Sequence, residues 1–363
     1  MTIYIIICIW LFALSMADCY YRFQAKDKFF LYVLTAFGFW LMSFLRWDVG
    51  TDWESYFRFF DRHNTWDDFQ SGSFEIGFTV INFGIKQITA NYTIMLLVIS
   101  CIIFPLKYST IWKYSPYPFF SLTLYLLLSR ADVFFVRETI ALSIAFFSIR
   151  YIVNRKVVPF FVCILIAFLF HSSIAIFSFA YYFYSAPLSR RNIILILIGV
   201  LVFSLASSAM LMGVGDVLGG VFAWKINNYL EYAQEGENFG TGLSVQETLI
   251  RGGINRLFFL LLFIYLYIKN KSNDLLTGLI KLYMFNFLLF LMLVPVAFGL
   301  VRLVNGYEQV SILIVGIGLS TFSRKNRFVI VLVLSLYIFL RFYIGTLNGG
   351  YAHCFVPFKT IFD

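Results

Sequence analysis

The stretch IYIIICIWLFALSMADCYYRFQAKDKFFLYVLTAFGFWLMSFL, residues 3–45, holds two apolar runs, 3–19 and 29–45, joined by the short basic connection YYRFQAKDK at 20–28. Each run approaches the roughly 20 residues that an α-helix needs to cross the hydrocarbon of a bilayer. A connection this short forces the two helices to run antiparallel, and its positive charge marks it as cytoplasmic. The chain then changes character at once. RWDVGTDWESYFRFF, residues 46–60, packs three carboxylates (Asp48, Asp52 and Glu54) and two arginines into about one helical length. The fold therefore alternates oil and polar ends, and the polar knot after the second run faces outward.

The rest of the chain repeats this pattern. Of 363 residues, 61% are hydrophobic and only 13% charged, too little charge for a soluble globule of this length. Further apolar segments fall near 92–106, 116–130, 132–150, 157–170, 172–186, 192–212, 252–268, 275–297, 303–320 and 328–345. The basic connections at 150–156, 189–191, 269–271 and 323–327 join the one at 20–28 on the cytoplasmic side. That leaves the outer loops 46–91 and 213–250. Parity between an outer loop at 46–73 and an inner one at 150–156 requires an odd number of crossings. The short polar-bearing segment 74–88 is therefore read as an interfacial or re-entrant helix. The expectation is an all-α polytopic membrane protein, a single bundle over 1–363 with about twelve transmembrane helices and both termini outside. The N-terminus lacks a basic n-region and a small-residue cleavage site, so residues 3–19 are expected to stay as the first span.

The net charge of +9 is spread through short loops, which topology explains better than a nucleic-acid partner does. Cys8, Cys19, Cys101, Cys163 and Cys354 have neither paired nor metal-like spacing. No CxxC, HExxH, P-loop or Rossmann glycine pattern occurs, so soluble nucleotide chemistry is excluded, and neither a metal nor a cofactor is expected.

Charge on the outer side is distinctive. Only Asp18, Asp27 and Asp274 among the acids fall on the basic-loop side, and the outer basic residues are mostly arginine. Arg46, Arg137, Arg251 and Arg302 stand near outer span ends, with Arg130 and Arg256 beside them. Charges at that depth face a wet cavity or a partner. One reading is snorkelling to headgroups, or pairing with Asp132, Glu138 and Glu308. The other is a cationic pocket for a lipid phosphate or pyrophosphate, which suits the planar donor fork of arginine. His171 opens HSS at an outward break between two short apolar runs, where it can exchange protons or donate to phosphate. Ser172 and Ser173 are candidate caps. In the opening loop Gly50 permits a tight turn, Thr51 or Asp52 can cap a helix, and Trp53, Tyr56, Phe57 and Phe60 form its apolar face. Asp52 or Glu54 is equally readable as a catalytic carboxylate, with Trp47 and Trp66 suited to stacking on sugar rings.

An arginine near VGTDWESY after the second span, then FEIGF, VRETIALSI, FHSS and finally VPFK is an order of elements that covers most of the chain. It resembles the EpsG-like branch of the Wzy-type polysaccharide polymerases. The resemblance points to Arg46, Gly50, Thr51, Asp52 and Tyr56, and to Glu75, Arg137, His171 and residues 355–359. It implies an enzyme of the bacterial inner membrane, multi-pass, with its active site facing the periplasm or exterior. Such an enzyme joins undecaprenyl-pyrophosphate-linked oligosaccharide repeat units by glycosyl transfer and releases undecaprenyl pyrophosphate. Arg46, Arg137, Arg251 and Arg302 would take the pyrophosphate; Gly50, Thr51, Glu54 and Tyr56 would position sugar or loop. Asp52 is the first choice of base and His171 the second, with Glu75 as a third catalytic candidate, and the roles of Asp52 and His171 are interchangeable at this stage. The implied partners are lipid-linked glycans and membrane lipids, with a chain-length regulator as a further candidate. The alternatives are a GT-C-type glycosyltransferase, an O-antigen ligase and a lipid-linked oligosaccharide flippase.

Overall fold

The computed structural model describes residues 1–21, 23–72, 74–187, 245–294 and 298–363. The chain divides into two compact units, Met1–Ser178 with Ile312–Asp363, and Phe179–Ser311. The described residues form helices and turns, with one isolated β-bridge between Arg46 and Thr360. The predicted segment 192–212 and most of the outer loop 213–250 lie outside the described residues.

In the first unit, α1 (Thr2–Tyr21) and α2 (Ala25–Leu45) match the opening apolar runs. The first outer loop carries three helices, α3 (Trp53–Arg62), α4 (Trp66–Ser71) and α5 (Ile76–Lys86). α6 (Tyr92–Tyr114), α7 (Pro118–Ser129), α8 (Arg137–Val153) and α9 (Val157–Phe168) follow. In the second unit α10 (Ala180–Ser185) and α11 (Val245–Lys269) pack on α12 (Asp274–Leu293), to which the short α13 (Asn305–Glu308) is also joined. α14 (Val310–Leu319) leads back to the first unit, which α15 (Arg324–Phe342) completes.

Seven helical stretches among the described residues are long and apolar enough to cross a membrane: Thr2–Tyr21, Ala25–Leu45, Tyr92–Tyr114, Glu247–Lys269, Asp274–Leu293, Gly299–Leu319 and Arg324–Leu347. The protein is thus an all-α membrane protein, and the expected count of about twelve spans is not reached by this criterion. Two departures account for much of the difference. Segment 172–186 was expected to be one span, but it is a 3-10 helix (Ser172–Phe179) followed by the six-residue α10. Residues 130–136 break the path between α7 and α8, leaving helices of 12 and 17 residues on either side. α11 starts at Val245, seven residues before the expected span.

The outer surfaces of the helices are apolar, as lipid contact requires. Val329, Val333, Leu336 and Leu340 are all exposed along α15 at spacings of four, three and four residues, a single helical face. Ile5, Ile6 and Ile9 do the same on α1, and Phe29, Phe30, Val33, Leu34 and Phe37 on α2. Inside the first unit, polar side chains join helices that have no hydrophobic force between them in lipid. Trp10 donates to Thr35 at 2.9 Å, Tyr32 to the Tyr108 carbonyl at 2.8 Å, and Ser121 to the Ile312 carbonyl at 2.7 Å.

The break at 130–136 rests on a buried ion pair. Lys107 on α6, fully buried, places its Nζ 2.5 Å from Oδ2 of Asp132, which also accepts from the Tyr125 hydroxyl. Arg130, Ala131 and Asp132 all have left-handed backbones, with φ of 45°, 52° and 55°. Three such residues without glycine cost roughly 1–2 kcal/mol each. A turn this strained persists because its surroundings over-determine it. Here Lys107, Tyr125 and the bond from Ser43 Oγ to the Asp132 carbonyl do so.

Candidate functional site

The first outer loop is built as a clasp. Gly50 has φ of 116°, and a Cβ there would lie 3.0 Å from the Phe134 carbonyl oxygen, so only glycine fits. Its N–H donates to the Cys354 carbonyl at 2.8 Å. The Trp47 N–H donates to the Lys359 carbonyl at 3.0 Å, and the Ile361 N–H to the Leu45 carbonyl at 2.9 Å. Lys359 Nζ reaches Asp48 at 3.4 Å. The Tyr4 hydroxyl holds the Phe355 carbonyl at 2.6 Å from below. The VPFK segment singled out by the resemblance thus closes over the VGTD loop.

Arg46 lies at the root of this loop, one residue past α2, and is 1% exposed. Its Nη1 donates to the Ser43 carbonyl at 2.9 Å, while Nε and Nη2 are buried without hydrogen-bond partners. Burial pushes its guanidinium down to about 10. Asp52 occupies the N-cap position of α3, but its side chain makes no cap hydrogen bond and it is exposed. Of the two readings of Asp52, the capping one is therefore not what the carboxylate does here. Thr51 is exposed beside it. Glu54, also exposed, pairs with Arg58 one turn along α3. Trp53 stacks on Phe57 with centroids 4.9 Å apart, and Trp47 stands edge-on to Trp53 while staying 38% exposed. Trp66 packs on Phe83 rather than on this loop.

A second group of candidates meets beside the clasp. Arg137 opens α8 and pairs with Glu75 at the N-cap of α5. The guanidinium lies 4.7 Å from the Phe74 ring centroid. Glu75 Oε1 accepts from the Ser172 N–H at 3.2 Å and from its hydroxyl at 3.3 Å, so Ser172 serves Glu75. The approach is set by Gly77, whose N–H donates to the Leu169 carbonyl at 2.7 Å; a Cβ would meet that oxygen at the same distance. His171 is buried, its Nδ1 2.6 Å from the Ser173 hydroxyl and 3.4 Å from the Ser173 N–H. Donation from that N–H makes Nδ1 the acceptor and leaves the proton on Nε2.

Tyr56 links the two groups. It is buried on α3 against Phe74 and Phe78. Burial pushes its hydroxyl up to about 12, the Arg137 guanidinium pulls it down, and Asp52 and Glu138 push it up. Arg130 is held above the clasp, its Nε donating to Thr346 at 3.2 Å and its guanidinium between the Phe135 and Phe355 rings at 5.3 and 5.0 Å. Burial lowers it to about 10.

The structure thus brings together Arg46, Gly50, Thr51, Asp52, Tyr56, Glu75, Arg137 and His171 within the first unit. Arg251 and Arg302 belong to the second unit. Arg251 is an exposed residue 3.9 Å from Glu247, and Arg302 is exposed on the 3-10 turn Phe298–Val304. Arg256 pairs with Glu308 and lies 4.0 Å from the Phe290 ring centroid, the pairing expected of a structural arginine. Three participants escaped the sequence reading. Ser172 was read as a cap, and Tyr351, close enough to feel the Asp52 charge, carries no local signal. Lys107 did carry one, a lone cation inside an apolar run. Among the described residues no group of three or more His, Cys, Asp or Glu stands ready to hold a metal ion.

No curated protein and no solved structure matches the chain. The EpsG family matches residues 29–360, from the start of the second apolar run to the Thr360 that pairs with Arg46. With nearly its whole length matched, the chain belongs to the EpsG family.

Proposed function

We propose that the protein polymerises oligosaccharide repeat units carried on undecaprenyl pyrophosphate, at the outer face of the bacterial cytoplasmic membrane. Membership of the EpsG family carries the coarser part, a glycosyltransferase-type role in polysaccharide polymerisation. The observation that carries the finer part is the pairing of opposite chemistries in one loop. Arg46, buried and with two nitrogens free of hydrogen bonds, stands six residues before Asp52, an exposed carboxylate free of a cap bond.

In this reading the acceptor sugar hydroxyl attacks the anomeric carbon of the growing chain. Its proton passes to the Asp52 carboxylate as the new C–O bond forms. The bond to the pyrophosphate oxygen breaks, and the electron pair leaves with undecaprenyl pyrophosphate. Negative charge then grows on that oxygen, where preorganised arginine donors lower the barrier. Arg46 is the first such donor, with Arg137 and Arg130 as further candidates. Removing one preorganised donor typically costs about 10²–10³ in rate. Glu75 and Ser172 orient Arg137, and His171 is the second candidate for proton exchange with a sugar or phosphate oxygen. Trp47 offers a face for a sugar ring. Direct displacement inverts the anomeric centre.

The test is polymer formation by purified protein given a lipid-linked repeat unit in the presence of chelator. A ladder of multiples supports the reading, and Asp52→Asn should remove it. Transfer of one sugar only would point to a GT-C-type transferase, transfer of preformed chains to an unrelated acceptor would point to a ligase, and transbilayer movement without a covalent product would point to a flippase. Any of these would replace the polymerase.

A further inference from the structure

At the other end of α1 lies a group of charges that the proposed chemistry does not use. Asp18 is 14 residues beyond Tyr4, so about 21 Å of helix separates it from the clasp that Tyr4 holds. Two cavities of about 460 and 410 Å³ open there. The first is lined by Tyr20, Ser323, Arg324 and Arg327 among others; the second by Asp18, Lys28, Tyr117, Ser320 and again Arg327.

Arg327 is 8% exposed and shared by both cavities. Its Nε donates to the Leu319 carbonyl at 3.0 Å and its Nη2 to the Phe322 carbonyl at 2.9 Å, with the Tyr117 ring centroid 4.6 Å away. Nη1, the remaining donor nitrogen, has no hydrogen-bond partner among the described residues. Arg324 is exposed, spends one nitrogen on the Tyr20 carbonyl and lies 4.5 Å from the Tyr20 ring centroid. Both arginines stand in the first turn of α15, whose N-terminal dipole adds positive potential. Asp18 is 3% exposed; its Oδ1 meets Lys28 at 2.8 Å, and its Oδ2 is buried without a partner. The lining therefore offers donors for an anion and one free acceptor for a hydroxyl.

The surroundings say which anion. Tyr20, Tyr21 and Phe328 are exposed at the rim, Tyr21 at 75%, and the lipid-facing stripe of α15 begins at Val329. Exposed aromatics at the start of an apolar stripe mark the headgroup level of a bilayer. We propose that this cleft binds an anionic phospholipid headgroup, its phosphate between Arg324 and Arg327 and its glycerol hydroxyl at Asp18. Phosphatidylglycerol has both groups, and such a lipid would tie α1 to α15.

The experiment uses the full chain in phosphatidylcholine nanodiscs containing a small fraction of spin-labelled phosphatidylglycerol or spin-labelled phosphatidylcholine. The protein should favour phosphatidylglycerol about fivefold, as expected for about one well-placed cation. Arg324→Gln, at an exposed position, and Arg327→Lys, which keeps a donor for the helix-end carbonyls, should each bring that ratio close to parity. Asp18→Asn should weaken phosphatidylglycerol relative to spin-labelled phosphatidic acid, which has no headgroup hydroxyl. No preference in the wild type, or a preference that survives both arginine changes, overturns the proposal. Loss of the preference on adding inorganic phosphate, but not on adding chloride to the same ionic strength, would make the site one for a free anion and overturn the lipid assignment.

Discussion

Arg46→Met is expected to stabilise the protein and to abolish polymer formation. In the folded chain the guanidinium is held down at about 10, and desolvation is the largest cause. At about 1.36 kcal/mol per pH unit, keeping Arg46 charged near neutrality costs the fold about 3 kcal/mol. Methionine loses the bond to the Ser43 carbonyl, worth about 1 kcal/mol, and fills a similar volume. The net gain is about 2 kcal/mol. The main-chain pairing of residue 46 with Thr360 is untouched by the change. The sign fixes the pH behaviour. A base whose folded value is depressed bears its full penalty below that value and sheds it only as pH rises above about 10, toward the unperturbed arginine value. The gain should therefore be constant between pH 6 and 9, about 1 unit or more below the folded value. The assays are reversible unfolding in detergent across that range and polymer length from a lipid-linked repeat unit. A destabilised variant, or one that polymerises at the wild-type rate, would refute the reasoning that Arg46 is held costly for the sake of an anion. Lysine at the same position should not restore activity, because it lacks the planar fork.

Three further outcomes follow from the geometry. Lys107→Met alone should cost about 3–5 kcal/mol by stranding Asp132, whereas Lys107→Met with Asp132→Asn should recover most of it; a double-mutant cycle of unfolding free energies checks this, and additive losses would contradict it. Gly50→Ala should cost about 2 kcal/mol through left-handed strain and the approach to the Phe134 carbonyl, read by thermal unfolding; a neutral result would mean that the loop relaxes freely. Removing residues 354–363 should leave helix content by circular dichroism unchanged yet lower polymer formation about a hundredfold, the penalty of a misplaced reacting group; full activity would show the clasp to be dispensable.

How far the sequence foretold this depends on the range of the forces involved. The long apolar runs became α1, α2, α6, α11, α12 and α15 because length and hydropathy are local properties. A short helix over 74–88 was likewise legible and became α5. Residues 172–186 look apolar enough for a span, but Ser172 is drawn to Glu75, 97 positions away, and the backbone winds as a 3-10 helix. The left-handed turn at 130–132 is equally invisible, since Arg-Ala-Asp has no preference for it and Lys107 imposes it from another helix. Among the candidate-site residues, Arg46 and Arg137 stood out in the sequence by their depth and charge. The partner of Arg137 did not, because Asp132 and Glu138 lie nearer in sequence than Glu75 does. Asp52 was readable either as a cap or as a catalytic carboxylate, and the structure leaves its carboxylate without the cap bond.

The clasp has a consequence for the order of events in the cell. Asp48 and Lys359 are 311 positions apart, and the bonds from Trp47 and Gly50 also wait for residues 354–359. At about 5–20 residues per second, the loop bearing Asp52 emerges roughly 15–60 s before the strand that closes over it. Throughout that interval the helices can insert and pack, but the loop lacks its lid of hydrogen bonds. Competence to bind a glycan should therefore arrive abruptly, only once residues 354–359 have been made, so that shorter chains in the membrane cannot draw on the pool of lipid carrier.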